Sequence, residues 1–363
     1  MKNKNLSMMN TNSNAVSEPQ ITMMRRWVLK AGATSLDDLI METVPIPQPK
    51  IGQVRVRIKA ASINYRDQIV LAGMYGPVTT NIIPLSDGSG EIDALGEGVT
   101  QWRVGDKVTT VYAAEEWIDG PPIPGLTFGL GAEGMDGVLA EYAILSAKRV
   151  TAAPSNLSFI EASTLPCAGL TAWTALHGDR PYVKPIKKGD KVLVLGTGGV
   201  SLFALLLARA VGAEVVGTSS HDEKLQKMKA LGAANVVNYV EVDNWGEVVF
   251  NQTGGVDRVI NAVGGSAIDQ SVAAVGYGGE IATMGLFDLE GKPLNYISLM
   301  MKGASIRGTA VGSLAAHKDL VKFIETNNIK PPIDNVYRIE NAKEAYQAAA
   351  SRNLFGKIVI HLA

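Results

Sequence analysis

The stretch "TLPCAGLTAWTAL", Thr164 to Leu176, contains the chain's one cysteine, Cys167. A single thiol can be a metal ligand, a nucleophile of lowered pKa or a small apolar residue, and the choice limits the chemistry open to the protein. One thiolate cannot hold Zn²⁺, which at a catalytic site takes three protein ligands and keeps a position open. His177, ten residues further on, is a residue that could be drafted into an improvised site. A second group of side chains lies in "NYRDQIVLAGMYG", where Asn64, Tyr65, Arg66 and Tyr75 supply hydrogen-bond donors and acids. Such groups can stabilise a developing oxyanion or enolate without a metal. Asp67 is expected to orient this loop by accepting hydrogen bonds rather than to act as a base.

The third chemical feature is a glycine-rich turn. In "VLVLGTGGVS", Gly196, Thr197, Gly198, Gly199 and Val200 follow an apolar β-type run and open a helical one. A backbone without Cβ atoms lets a diphosphate approach, and the helix N-terminus offers N–H groups and the positive end of a dipole. The third glycine of the usual G-x-G-x-x-G pattern falls on Ser201, which is small enough for close helix-to-strand packing. A bare glycine turn also occurs in α/β proteins that bind nothing. Here strand, turn, helix and next strand follow in order, and dinucleotide binding is expected. At the end of that next strand stand Ser219 and Ser220, followed by His221 and Lys224. No carboxylate is placed to hold a ribose 2′-OH, and a cation is near, so NADPH is favoured over NADH. Asp222 and Glu223 fall in the first turn of the following helix, where acids suit the dipole. The plainer alternative for Lys224 is a solvated helix residue.

These groups need elements to position them. At 363 residues the chain suits about two domains, taking roughly 100–200 residues each. Apolar residues make up 46%, charged residues 19%, and the net charge is -1, without the basic excess that nucleic acid would call for. The longest apolar run, "SLFALLLARAV", is too short to span a bilayer, and a single cysteine suits a reducing cytoplasm. Residues 1–22 are Asn- and Ser-rich and are read as a disordered leader. Residues 23–150 alternate apolar and polar in short runs, as in "QVRVRIKAASI", and predict a β-rich domain. Its insert "WIDGPPIPGLTFGLGAEGMDG" is read as an irregular surface loop or lid, and Trp117, Tyr112 and Phe128 in or near it could wall a substrate. Ser158 and Glu161 form a capping box that starts a helix near Phe159. Residues 151–313 repeat strand and helix, which means βαβ units and a parallel sheet with helices on both faces. The segment 314–363 either extends that domain or returns to complete the first.

The combination of "NYRDQIVLAGMYG", "IPLSDGSGEI", "GDKV", "LPCAGLTAW", "LGTGGVS" and "GKIVI" resembles the medium-chain dehydrogenase/reductase superfamily from about Arg25 to the C-terminus. The resemblance implies an α/β fold made of a GroES-like β-rich catalytic domain plus a Rossmann domain, a doubly wound parallel sheet. It also implies that 314–363 returns to the first domain, that a cofactor cleft lies between the two, and that the protein is a homodimer. Zinc-dependent members hold their metal at three positions that here read Asn64, Ser86 and Cys167, so the departures resemble the zinc-free, quinone oxidoreductase-like branch. In that branch Ser220, Lys224, Tyr239 and Arg352 match positions that hold the 2′-phosphate. Thr171 matches one beside the nicotinamide ribose, and Gly285 and Leu286 match the stretch facing the carboxamide. Tyr75 matches a catalytic tyrosine of related enoyl reductases. The expectation is a zinc-independent, NADPH-dependent oxidoreductase passing hydride to a small-molecule quinone or α,β-unsaturated carbonyl compound. A zinc-free alcohol or carbonyl dehydrogenase, and a non-catalytic NADPH-binding protein, are the alternatives.

Overall fold

Alternation in "QVRVRIKAAS" buries Val54, Val56, Ile58 and Ala60 on one side of a strand and leaves Arg55, Arg57 and Lys59 on the other, the pattern of a sheet with one wet face. The computed structural model describes residues 22–112, 115–124, 129–132, 134–288, 290–351 and 353–362. The leader read at 1–22, apart from Thr22, and the expectations for Phe128 and Arg352 lie outside the described residues.

The first half contains β1 (Met23–Leu29), β2 (Leu39–Pro45), β3 (Gln53–Ser62), α1 (Tyr65–Leu71), β4 (Asp87–Leu95), β5 (Lys107–Thr110), β6 (Tyr142–Ser146) and β7 (Val150–Ala152). It hands over through α2 (Phe159–Ala162), capped by the expected Ser158 and Glu161 box, to α3 (Leu170–His177). Then follow β8 (Lys191–Leu195), α4 (Gly199–Val211), β9 (Glu214–Ser219), α5 (Asp222–Ala230), β10 (Asn235–Asn238), α6 (Trp245–Thr253) and β11 (Val256–Asn261). The chain continues through α7 (Ile268–Ala274), β12 (Val275–Thr283), α8 (Tyr296–Met301), β13 (Ser305–Gly308) and α9 (Leu314–Asn327). It ends with β14 (Ile333–Arg338), α10 (Ala342–Ala350) and β15 (Lys357–His361).

Six strands form an all-parallel sheet in the order β10-β9-β8-β11-β12-β13. β8, near its centre, is apolar and buried from Val192 to Leu195, as burial on both faces demands. Val192 and Val194 pack with Leu170, Phe203 and Leu320, whereas Leu193 points the other way to join Val249 and Val272. The sheet is therefore doubly wound. The glycine turn leaves β8 where the strand order reverses, the place at which such sheets open a crevice for ligands.

β14 and β15 join the first sheet, whose order is β14-β15-β3-β4-β5-β7, and β15 runs antiparallel to β3 with Ile360 opposite Ala61. α9 does not travel with them, although 314 was read as the start of the returning segment. Its Ala316, Leu320 and Ile324 pack into the core of the parallel sheet, so the return begins only after this helix. The insert lies at the surface along 118–124, as a surface loop does, but it is anchored at its start. Trp117 is 1% exposed, its carbonyl accepts from Leu314 N at 3.1 Å, and the Ile118 carbonyl accepts from Ala315 N at 2.9 Å. Those N–H groups open α9 and have no acceptor inside the helix. Among the described residues no helix is long and apolar enough to cross a membrane.

His317, on the buried side of α9, has no exposure, and neither ring nitrogen has a hydrogen-bond partner among the described residues. Burial pushes it down to about 4 from 6.5, and His177 is likewise pushed down to about 4 by burial and Arg258. The unfolded chain takes up protons below about pH 6.5 that the folded chain refuses until about pH 4. Stability is therefore full above the upper value and declines as pH falls through this window, by up to about 3 kcal/mol per histidine. Urea unfolding at about pH 7 and about pH 5 should show this decline, and His317→Leu should make it shallower.

Candidate active site

A cleft of about 300 Å³ lies between the two halves. On one side, the chain leaving β3 turns into α1 at Asn64. Asp67 fixes that turn by accepting from Asn64 N at 2.8 Å with one oxygen and from Arg66 Nη1 at 3.0 Å with the other. Arg66 Nη1 also donates to the Leu130 carbonyl at 2.8 Å, and its guanidinium lies 5.5 Å from the centre of the Tyr112 ring. Arg66 and Asp67 are thus both buried and engaged in holding the loop, and Arg66 lines the cleft together with Asn64, Tyr65 and Tyr75. Tyr65 stacks on Phe287 of the other half, with centroids 3.8 Å apart. Tyr75 is half-buried, and loss of water raises its phenol above the ordinary value, so it stays protonated.

Beside Asn64 lies a buried cluster that the sequence reading only partly named. Leu85 takes φ 71, a left-handed conformation unusual for leucine, and turns the chain into β4 with Ser86 and Asp87 facing inward. Asp87 accepts from Ser86 Oγ at 2.6 Å and from Cys167 N at 2.9 Å. Burial raises its carboxyl to about 6, opposed by the charge of Lys357 and by hydrogen bonds. Lys357 Nζ donates to the Ile63 carbonyl and to Asn64 Oδ1. That bond orients the Asn64 amide, whose Nδ2 turns towards Asp87 without reaching good hydrogen-bond geometry. Cys167 sits in a π-helical turn, Leu165–Gly169, ahead of α3. Burial, and then the nearby Asp87 charge, push its thiol well above the ordinary value. The raised pKa suits the reading of Cys167 as a small apolar residue packed near the cleft and goes against its alternative, a thiol of lowered pKa, because desolvation outweighs any help from the helix start.

These donors do not make a zinc site. Of Asn64, Ser86 and Cys167 only the last is a usual ligand type, and an ammonium already occupies the Asn64 oxygen. Among the described residues no group of three or more His, Cys, Asp or Glu could hold a metal. His177 cannot be drafted in. It lies at the far end of α3, about 15 Å along the axis by helical rise, and packs on the Trp173 ring at 4.0 Å.

The residues present do fit a dinucleotide. Gly196 has φ +80, and a Cβ at Gly198 would meet nothing within 4 Å, leaving the start of α4 open to a ligand. A Cβ at Gly199 would instead come 2.5 Å from Lys357 Cδ, so this glycine makes room for the lysine. Ser201, in the third glycine's place, ties back to the Leu195 carbonyl at 2.7 Å. Thr197 Oγ1 donates to the Leu354 carbonyl at 2.9 Å, and the Thr197 carbonyl accepts from Gly356 N at 3.0 Å. Val200, Thr171, Gly285 and Leu286 line the same cleft. A Cβ at Gly285 would fall 2.2 Å from the Val263 backbone, which makes it a packing glycine as well.

Ser219, Ser220 and Tyr239 are grouped at the ends of β9 and β10, one strand away from the glycine turn, and Lys224 stands in the following helix α5. Tyr239 N donates to the Ser219 carbonyl at 3.2 Å, and Ser220 Oγ lies 2.8 Å from His221 Nδ1. Lys224 is buried rather than solvated; burial lowers its pKa, and the Asp334 charge opposes this. Asp222 is engaged with Asn238 Nδ2 at 2.9 Å in the first turn of α5. Of the aromatics considered for a substrate wall, Tyr112 lines the cleft and Trp117 does not. Sequence reasoning passed over Lys357 and Asp87 as site residues, although "GKIVI" and "LSDG" contain them.

Comparison with known proteins gives the same fold. Residues 50–155 match an alcohol dehydrogenase GroES-like domain, and residues 199–326 match a zinc-binding dehydrogenase domain. A zinc-type alcohol dehydrogenase-like protein of Schizosaccharomyces pombe is 39% identical over 94% of this chain and 100% of its own. The acryloyl-coenzyme A reductase of Sulfurisphaera tokodaii is 29% identical over 88% of this chain and 95% of its own. A crystal structure of an NAD-dependent alcohol dehydrogenase superposes with a TM-score of 0.84 at 31% identity, covering 94% of this chain and 100% of that one. With both halves matched in order, and with the cleft between a GroES-like sheet and a Rossmann sheet, the chain belongs to the medium-chain dehydrogenase/reductase superfamily of oxidoreductases.

Proposed function

We propose that the protein is a zinc-independent, NADPH-dependent oxidoreductase that reduces quinones or α,β-unsaturated carbonyl compounds. The observation that carries this reading is the replacement of two of three metal-ligand positions by Asn64 and Ser86, with a lysine hydrogen-bonded to the first. The bound cofactor supplies hydride. Without a metal at these positions an acceptor that spreads the incoming electron pair is favoured, as conjugated carbonyl compounds and quinones do and simple carbonyls do not, with protein donors stabilising the charge on its oxygen. Asn64 and its partners shape the wall nearest the acceptor oxygen. Tyr75, kept protonated by its half-buried position, is suited to deliver the proton that completes the reduction. Ser219, Ser220, Lys224 and Tyr239 form the pocket for the 2′-phosphate. The name of the acryloyl-coenzyme A reductase supports reduction of an activated alkene. The alcohol dehydrogenase names among the relatives, one of them NAD-dependent, favour a second reading as a zinc-free alcohol or carbonyl dehydrogenase.

Spectrophotometric assays separate the two. NADPH should be oxidised with quinones or enones and not with saturated aldehydes, NADH should serve less well, and a chelator should change nothing. The reverse acceptor pattern would favour the dehydrogenase, and tight NADPH binding without turnover a non-catalytic binding protein. Tyr75→Phe should lower kcat with an enone about 100-fold while leaving NADPH affinity unchanged; an unaffected kcat would remove Tyr75 as the proton donor.

We also propose a homodimer formed edge to edge through the Rossmann sheets. β13 is the sheet's edge strand, and beside it α8 exposes Tyr296, Ile297, Met300 and Met301. An open edge flanked by such an apolar patch calls for a partner. Light scattering should give twice the chain mass, and a doubly substituted Ile297→Asp, Met301→Asp protein should run as a monomer.

A further inference from the structure

Lys357 is 5% exposed, yet it lines the cleft. Its stem lies against Gly199 of the nucleotide turn, and its ammonium ends beside Asn64 on the opposite wall. Two of its three N–H groups are donated, to the Ile63 carbonyl and to Asn64 Oδ1. Among the described residues the third has no hydrogen-bond acceptor and no carboxylate forms an ion pair with the ammonium; burial lowers its pKa, and the charges of Asp87 and Asp67 oppose this from beyond contact. Arg66, the other buried cation lining the cleft, has Nη1 committed to Asp67 and Leu130. A buried ammonium without a direct counterion is costly and marks a functional position.

We propose that Lys357 is the positive charge that stabilises the oxyanion formed on the substrate, donating its third N–H to that oxygen while Asn64 and the Ile63 carbonyl hold it in place. This rests on the hydride-transfer reading above. A C–H bond forms at the acceptor carbon, the π pair moves onto the conjugated oxygen, and the nicotinamide is oxidised. The oxygen so charged becomes an enolate, which is then protonated; with a quinone the ring carbon afterwards gives up one proton to water and the second oxygen takes one up, restoring the aromatic hydroquinone. Lys357 keeps all its protons throughout. Asn64 is accordingly a positioning residue, since its carbonyl oxygen is taken up by the lysine.

The test compares wild type with Lys357→Met, Lys357→Gln and Lys357→Arg, each checked for folding by circular dichroism. The two neutral variants should lose about 100-fold or more in kcat with a quinone or enone, with KM and the NADPH dissociation constant changing less than about threefold. Lys357→Arg should recover part of the loss. A readout without turnover uses 4-nitrophenol with the NADP⁺ complex. Wild type should bind the yellow phenolate, and the neutral variants should bind it at least about tenfold more weakly. The proposal is overturned if either folded neutral variant keeps kcat within about threefold, if kcat falls only in step with NADPH affinity, or if wild type and variants bind the phenolate equally. Failure of the hydride-transfer reading would look different: wild type itself would turn over neither quinones nor enones, while the phenolate result would still report on the cation.

Discussion

Asp87 is wholly removed from water at the seam between the two sheets, and a carboxylate in that position must be met by donors. The two donors and the cation whose field opposes the cost of burial come from separate parts of the chain. Ser86 is its neighbour at the start of β4, Cys167 N belongs to the turn before α3, and the compensating charge of Lys357 comes from β15. Placing these three around one carboxylate fixes the first sheet, the handover helix and the final strand relative to one another. The cleft is the space left beside that junction, and its walls inherit the rigidity of the cluster.

The same constraint shapes the reactivity. Burial holds the Cys167 thiol and the Tyr75 phenol in their protonated forms, so the cleft contains an acid and a cation rather than a nucleophile. An environment of that kind acts on charge that appears on the substrate during reaction, and it does so more strongly because water is largely excluded. The nucleotide side is built differently, from backbone clearance at Gly198 and a helix start, which suits a diphosphate that arrives already charged.

Much of this was legible in order along the sequence. The apolar run before Gly196 and the helical run after it led to a parallel strand and α4, and Ser158 with Glu161 marked α2. Asn64 and Ser86 could be read as lost ligand positions because they stand at fixed offsets within local motifs. Lys357 could not be read as a site residue, since a lysine at the start of a strand usually faces solvent and its partner Asn64 is 293 positions away. Lys224 looked the same on paper whether solvated or buried, and only the folded structure, which buries it within reach of the Asp334 charge, decides it. The insert's glycines and prolines concealed Trp117, whose burial depends on a helix start nearly two hundred residues later. In each case the missing information was a contact between distant segments, which periodicity does not encode.

The pairing of β15 with β3, and of Gly356 with Thr197, has a consequence for how the chain is made. Ala60, Ala61 and Ser62 emerge from the ribosome early, and their partners in β15 emerge roughly 15 to 60 s later at about 5–20 residues per second. For that interval the first sheet has an open inner edge, and the glycine turn lacks the backbone that braces it. A nascent chain can assemble the parallel sheet but not the finished nucleotide turn. Cofactor capture is therefore a step that follows the emergence of β15, and a chaperone shielding the β3 edge would act before the dinucleotide could.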